Sequence, residues 1–230
     1  MKKTVLMILI AALSTTLLFI SCAGDEEDTV LAVGNIPSDY IIRWHLDGNG
    51  IDEKEGYDLN FDGNFTYSST DQKEGTHCLS LDGSYVLGRY GDHSLANDAV
   101  TILMWLYVDA SATGIPNALR YVNNGINYDT SSNLFQAYIG TDNVASSSVS
   151  FDRDQWHHVV LTFDGSLDTI NLYVDNTGPY TNTSTDSIAG LDNEWFVGSN
   201  WFSDYWNGMI DDVIIYERAL SDAEVRALYN

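Results

Sequence analysis

Basic residues are scarce in this chain: ten, against 33 acidic residues in a length of 230. A surface so short of positive charge repels phosphate backbones, which excludes nucleic acid as a partner. Cysteine is scarcer still, with only Cys22 and Cys78, so no disulfide framework organises the fold. Proline occurs three times, which excludes a proline-rich linker or stalk. Long apolar runs are also missing. Val5 to Ile20 is broken by Ser14, Thr15 and Thr16, and about sixteen residues fall short of the roughly twenty that a spanning helix needs.

What the first residues do contain is an export pattern. Lys2 and Lys3 precede the apolar run, and Phe19-Ile20-Ser21-Cys22 closes it. A basic start, a short apolar stretch and a small residue before a break describe a cleaved signal. These closing residues resemble the lipobox of bacterial lipoproteins, where the cysteine thiol is lipidated and the chain is cut before it. The resemblance implies a signal peptide over residues 1–21 and a lipid anchor on Cys22. Ala23-Gly24-Asp25-Glu26-Glu27-Asp28 follows, an acidic, small-residue stretch that cannot bury apolar surface. Residues 22–38 are therefore expected to form a flexible tether. The acidic run also resembles the surface-export signals of some Bacteroidetes lipoproteins. The expected location is the cell envelope, as an outer-membrane lipoprotein, with the face of the membrane left open.

Losing Lys2 and Lys3 with the leader leaves 33 acids against 8 bases, a formal charge of −25. Anionic lipid would repel such a body, so acyl chains must make the membrane link, while the excess carboxylates suit a divalent cation. With Cys22 acylated, Cys78 has no partner; within Thr76-His77-Cys78-Leu79-Ser80-Leu81 it reads as a small core residue.

Residues 39–230 suit one all-β domain. Short β runs alternate with Gly, Asn, Asp and Ser turns. Ile41 to Leu46 reads as the first strand, and Cys78 to Leu81 with Tyr85 to Leu87 reads as a hairpin about Asp82-Gly83. Val100 to Val108 and Trp156 to Phe163 are apolar on both faces and should be central. Leu119 to Val122, Leu134 to Ile139, Val144 to Phe151, Ile170 to Val174, Trp195 to Val197 and Met209 to Tyr216 continue the series. Ser221-Asp222-Ala223-Glu224 is a capping box, and Val225, Leu228 and Tyr229 give the helix it starts one apolar face. Many short strands with one terminal helix predict a two-sheet antiparallel sandwich.

Three stretches then carry a resemblance: Trp44-His45-Leu46-Asp47-Gly48-Asn49-Gly50-Ile51-Asp52 with Gly56; Gln155-Trp156-His157-His158-Val159-Val160-Leu161-Thr162-Phe163-Asp164 with Leu172-Tyr173-Val174-Asp175; and Trp206-Asn207-Gly208-Met209-Ile210-Asp211-Asp212-Val213-Ile214-Ile215-Tyr216 with Arg218-Ala219-Leu220-Ser221. In order and spacing they resemble the laminin-G-like, concanavalin A-like domains of bacterial surface proteins. The resemblance implies a jelly roll of two curved sheets, a frequent structural calcium, and in many relatives a role in binding glycans or other proteins.

Strand alternation puts Asp211 on one face with Met209, Val213 and Ile215, where an acid is costly unless its charge is met. By position, the resemblance makes Asp211, Asp52 and a carbonyl near Gly56 the ligands of a Ca²⁺ ion that fastens the chain ends, with Asp47 as a further candidate. The competing expectation is that Asp211 and Asp212 bond backbone amides. His157 and His158, adjacent on a strand, point to opposite faces and cannot share a metal. His45, His77 and His93 lack zinc-site spacing.

Trp201, Phe202, Tyr205 and Trp206 crowd a Gly/Asn/Ser-rich segment, and with Trp195 they are candidates for a glycan-stacking platform; the alternative is that they cover the sandwich edge. Tyr121, Asn123, Asn124 and Tyr138 are candidates for lining a concave sheet face. No Glu-x-Asp-x-x-Glu strand motif is present to pair two carboxylates at glycosidase separation, nor any Gly-x-Ser-x-Gly elbow or phosphate-cradling glycine loop. Asp52-Glu53-Lys54-Glu55 sits in a loop-like stretch. The expected function is a non-catalytic binding module for a glycan; the alternatives are an adhesion or assembly module for an envelope or host protein, and a glycoside hydrolase with a divergent acid pair.

Overall fold

In the computed structural model, which describes residues 36–54, 56–91, 94–140, 144–190, 194–200 and 203–229, the chain forms β1 (Ile42–Trp44), β2 (Asn60–Gly63), β3 (Thr66–Ser68), β4 (Cys78–Asp82), β5 (Val86–Tyr90), β6 (Ala99–Val108), β7 (Asn117–Tyr121), β8 (Asn124–Asp129), β9 (Leu134–Ile139), β10 (Val144–Ser146), β11 (Trp156–Asp164), β12 (Thr169–Val174), β13 (Thr177–Thr183), β14 (Trp195–Val197), β15 (Asn207–Tyr216) and α1 (Asp222–Leu228). One sheet runs β13-β12-β11-β6-β15-β4-β3, with β1 also on β15; the other runs β10-β9-β8-β7-β14-β5-β2. This is the expected all-β, two-sheet antiparallel jelly-roll sandwich.

The two strands expected at the centre are there: β6 lies between β11 and β15. Val100, Ile102, Met104, Leu106 and Val108 face the core between the sheets with Val159, Leu161 and Phe163 of β11. Leu103, Val160, Ile214 and Tyr216 face outward and are covered by Leu220, Val225 and Leu228 at the helix. That cover explains why both faces of these strands read as apolar. The capping box forms as expected: Ser221 Oγ accepts from the Glu224 amide, and Glu224 accepts from the Ser221 amide. Arg218 then joins Glu224 to Asp39, tying the helix to the start of the body.

Two local expectations fail. The hairpin about Asp82-Gly83 does not form, because β4 pairs with β3 and β15 while β5 pairs with β2 and β14. The turn instead passes the chain from one sheet to the other, and Gly83 takes a φ of +77° to do so. Alternation also breaks within β15. The register shifts between Asp211 and Ile214, and Asp212 sits at a φ of +43°. The bulge puts Ile210 and Val213 on the core side together, so Asp211 does not share a face with Val213 and Ile215.

Candidate functional site

The helix and N-terminal segment cover part of the eight-stranded sheet. Over β7, β8 and β9 of the seven-stranded sheet a groove of about 610 Å³ stays open, lined by Asn117, Arg120, Asn123, Asn127, Tyr138 and Asp204 among others. Its floor follows from register. Leu119 and Tyr121 of β7, Ile126 and Tyr128 of β8, and Phe135, Ala137 and Ile139 of β9 point into the core. The alternate residues must therefore point out. Arg120 stands opposite Gly125, Gly125 opposite Tyr138, and Asn117 opposite Asn127.

Gly125 lies buried beneath this floor, where there is no room for a side chain. A Cβ there would lie 2.1 Å from the Leu119 carbonyl oxygen and 2.9 Å from the Tyr138 hydroxyl. Tyr138 therefore lies over the Gly125 backbone, which is buried, with its hydroxyl reaching toward β7. Tyr138 donates to Asn117 Oδ1 at 2.7 Å, and burial pushes its phenol well above the ordinary range, so it stays protonated. Asn127 Oδ1 is buried and has no hydrogen-bond partner, an acceptor that a ligand donor would satisfy. Asp204 accepts from Asn200 Nδ2 at 3.2 Å and Ser203 Oγ at 2.9 Å. Arg120 donates to Asn123 Oδ1 at 3.1 Å. Amides, a phenol and one charge of each sign around a cleft can bond a polyhydroxylated ligand but offer it no stacking face among the described residues.

Of the residues expected to line a concave face, Asn123 and Tyr138 do so. Tyr121 and Asn124 do not. Tyr121 is buried and stacks on Trp195 at 4.4 Å, and Asn124 accepts from the Gly140 amide. The aromatic platform also needs correction. Trp195 and Trp206 are both fully buried: β14 is an interior strand, so Trp195 faces the core, and Trp206 anchors there with Nε1 donating to the Tyr107 carbonyl at 3.2 Å. Neither offers a ring to a sugar. Tyr205 is half-buried, edge-on to Tyr85 at 5.9 Å. Trp201, like Phe202, His93 and Cys22, lies outside the described residues. Sequence reasoning passed over Asn117, Arg120, Asn127 and Asp204; the polar alternation Arg120, Asn127, Tyr138 on three successive short strands was the available signal.

Asp211 and Asp212 occupy the point where β4 ends and β1 begins along β15. Asp211 Oδ2 accepts from the Lys73 and Glu74 amides, and its Oδ1 accepts from the Asp212 amide. Burial pushes its carboxyl up to about 7, against the pull of those donors. Asp212 takes Arg43 Nε at 2.9 Å and approaches His45 Nδ1 at 3.4 Å. Burial would raise it, but the hydrogen bonds from His45 and Arg43 outweigh burial and hold it below the ordinary carboxylate range. The amide-bonding expectation thus describes Asp211. Asp52 is elsewhere, bridged to Trp44 across β1, which separates it from β15. Its Oδ1 accepts from the Arg43 amide, while Oδ2 is buried without a partner. Asp52 thus keeps one carboxylate oxygen unsatisfied, whereas the oxygens of Asp211 already face three N–H dipoles; among the described residues no three His, Cys, Asp or Glu side chains are grouped to hold a metal ion. Gly56 is exposed in the following turn with a φ of +145°. Asp47 is spent on the Thr76 and His77 amides. His157 and His158 do face opposite ways, toward Phe135 and Trp105 respectively.

The family model of the concanavalin A-like lectin/glucanases superfamily matches residues 82–226. The chain belongs to that superfamily. No curated protein matches it in sequence. Among solved structures, domain 4 of AbnA, a GH43 extracellular arabinanase from Geobacillus stearothermophilus in complex with arabinotriose, is 17% identical, with a TM-score of 0.68 over 84% of this chain and 98% of that domain. Trypanosoma rangeli sialidase is 16% identical, with a TM-score of 0.64 over 84% of this chain and 33% of the enzyme. The binding domain of botulinum neurotoxin DC in complex with SialylT is 14% identical, with a TM-score of 0.60 over 84% of this chain and 51% of that one. At such identities the likeness is one of fold.

Proposed function

We propose that this protein is a non-catalytic glycan-binding module whose binding seat is the groove over β7, β8 and β9. The observation that carries the proposal is the unpartnered Asn127 Oδ1 set among Asn117, Tyr138 and Arg120 in an open cleft of about 610 Å³. Similar folds in complex with arabinotriose and SialylT support it. The absence of enzymatic action rests on the lining: Asp204 is the carboxylate among the described lining residues, whereas glycoside hydrolysis canonically uses two. Lipid on Cys22 would carry the module to the cell envelope.

Titration calorimetry of the detergent-solubilised full chain against a glycan panel tests the seat. Binding should appear in the micromolar-to-millimolar range of about −8 to −4 kcal/mol. Asn127→Ala and Tyr138→Phe should each weaken it several-fold, since each deletes a hydrogen bond worth about 1 kcal/mol. Binding untouched by both changes would move the seat elsewhere.

Calcium belongs to the same proposal as a brace. Asp52 Oδ2 would hold it, with carbonyls of the turn that includes Gly56. Adding calcium to chelator-treated protein should raise the melting temperature, because a ligand bound only by the folded state stabilises it. Asp52→Asn should abolish the rise and Asp211→Asn should leave it; no rise in the wild type would end the calcium part alone.

A further inference from the structure

Among the described residues, the bases of this acidic chain are almost all spoken for. Arg43 pairs with Asp212 and Glu53, Arg89 with Glu194, Arg218 with Asp39 and Glu224, and Arg226 with Asp222. Lys54 reaches the Ser38 and Tyr40 carbonyls, Arg153 those of Ala110, Ala112 and Thr130, and Lys73 lies over the Trp105 ring at 4.0 Å. Arg120 differs. Among the described residues its hydrogen-bond partner is the neutral Asn123 amide oxygen, at 3.1 Å. One bond leaves most of a five-donor guanidinium fork unused. Arg120 is half-buried and lines the groove, opposite Gly125 in the β7–β8 register.

In a chain with 33 acids, an arginine that meets no carboxylate among the described residues and faces a cleft is set for a carboxylate from outside. The planar fork fits that group in two parallel bonds, which an ammonium cannot copy. The polar groups on the other sides of the cleft are neutral or acidic and accept or donate to hydroxyls: Tyr138, Asn127 and Asp204. We infer that the groove selects an acidic sugar, a uronic or sialic acid residue within a glycan, with its carboxylate on Arg120 and its ring hydroxyls toward Tyr138, Asn127 and Asp204. The inference rests on the groove being the glycan seat. The chain's overall negative charge does not oppose it at contact range, because salt screens charges beyond about 8–10 Å.

The test uses the full chain in detergent and matched probes: oligogalacturonate against its carboxyl-reduced form, and sialyllactose against lactose. The wild type should bind at least one acidic probe about tenfold or more tightly than its neutral counterpart, the yield of a charge-assisted bond worth about 1.5–3 kcal/mol. Arg120→Gln should erase that preference, weakening the acidic probe about tenfold more than the neutral one. Arg120→Lys should restore part of it, the fork being lost but the charge kept. Equal binding of acidic and neutral probes, weakened alike by Asn127→Ala, overturns acidic selection and leaves the glycan seat standing. A preference that survives Arg120→Gln assigns the carboxylate to another residue and overturns the inference. No binding of any sugar removes the glycan seat itself, and this inference with it.

Discussion

His157 and His158 are neighbours in sequence with opposite electrostatic fates. His157 is buried, which would lower its pKa, but Asp175 Oδ2 at 2.6 Å and the Asp152 carbonyl at 2.7 Å face its two ring nitrogens. The acceptors win, and the imidazole is held above its ordinary 6.5. His158, between Trp105 and Tyr229, has no such partners, and burial pulls it down to about 4. The consequences for stability run in opposite directions. His157 contributes fully below the unfolded value of about 6.5, and its contribution fades as pH rises through the higher folded value. His158 contributes fully above about 6.5, and its contribution is lost as pH falls toward 4, because only the unfolded chain takes up the proton. Urea midpoints from pH 4 to pH 9 should therefore fall at both ends. His158→Phe should flatten the acid limb and His157→Gln the alkaline limb.

At the scale of elements, α1 depends on its first turn. It is seven residues long, too short to persist alone in water. Its stability comes from covering β6, β11 and β15, and from a cap with a second duty. Glu224 closes the capping box and also accepts from Arg218 at 3.0 and 2.7 Å. Ser221→Ala should cost about 1 kcal/mol of unfolding free energy, while Glu224→Ala should cost more, since it also releases Arg218. Denaturant titration of both single variants and the pair should show costs that do not add, because the two side chains share one network. The capping box was legible in the sequence because it is local, a matter of four consecutive residues. The bulge in β15 was not. A strand's alternation is also local, but whether an extra residue interrupts it depends on what lies alongside, here β4 along one half and β1 along the other. That is why the apolar face expected for Asp211 came out differently, and why its oxygens meet amides from residues 73 and 74.

For the molecule as a whole, unfolding has a built-in reporter. Cys78 is fully buried with its Sγ 3.6 Å from the Met209 sulfur, and burial, reinforced by the charges of Asp211 and Asp71, pushes its thiol up to about 12. A thiol reagent should leave the folded protein unmodified and label it only as fast as it opens. With Cys22 lipidated as proposed, the protein should titrate one thiol per chain in urea, since the sequence has only Cys22 and Cys78; two would mean that Cys22 carries no lipid. The sequence by itself determined the sandwich, its central strands, the terminal helix with its cap, and the excess of negative charge, because periodicity, turn residues and composition act over a few positions. Only the tertiary structure decided that Trp195 and Trp206 are core, that Asp82-Gly83 links two sheets, and that Arg120, Asn127 and Tyr138 share one cleft. Those outcomes depend on which strands become neighbours. Pairing across the sheet joins residues far apart in the chain, through hydrogen bonds that any sequence can make and a core that many apolar residues can fill.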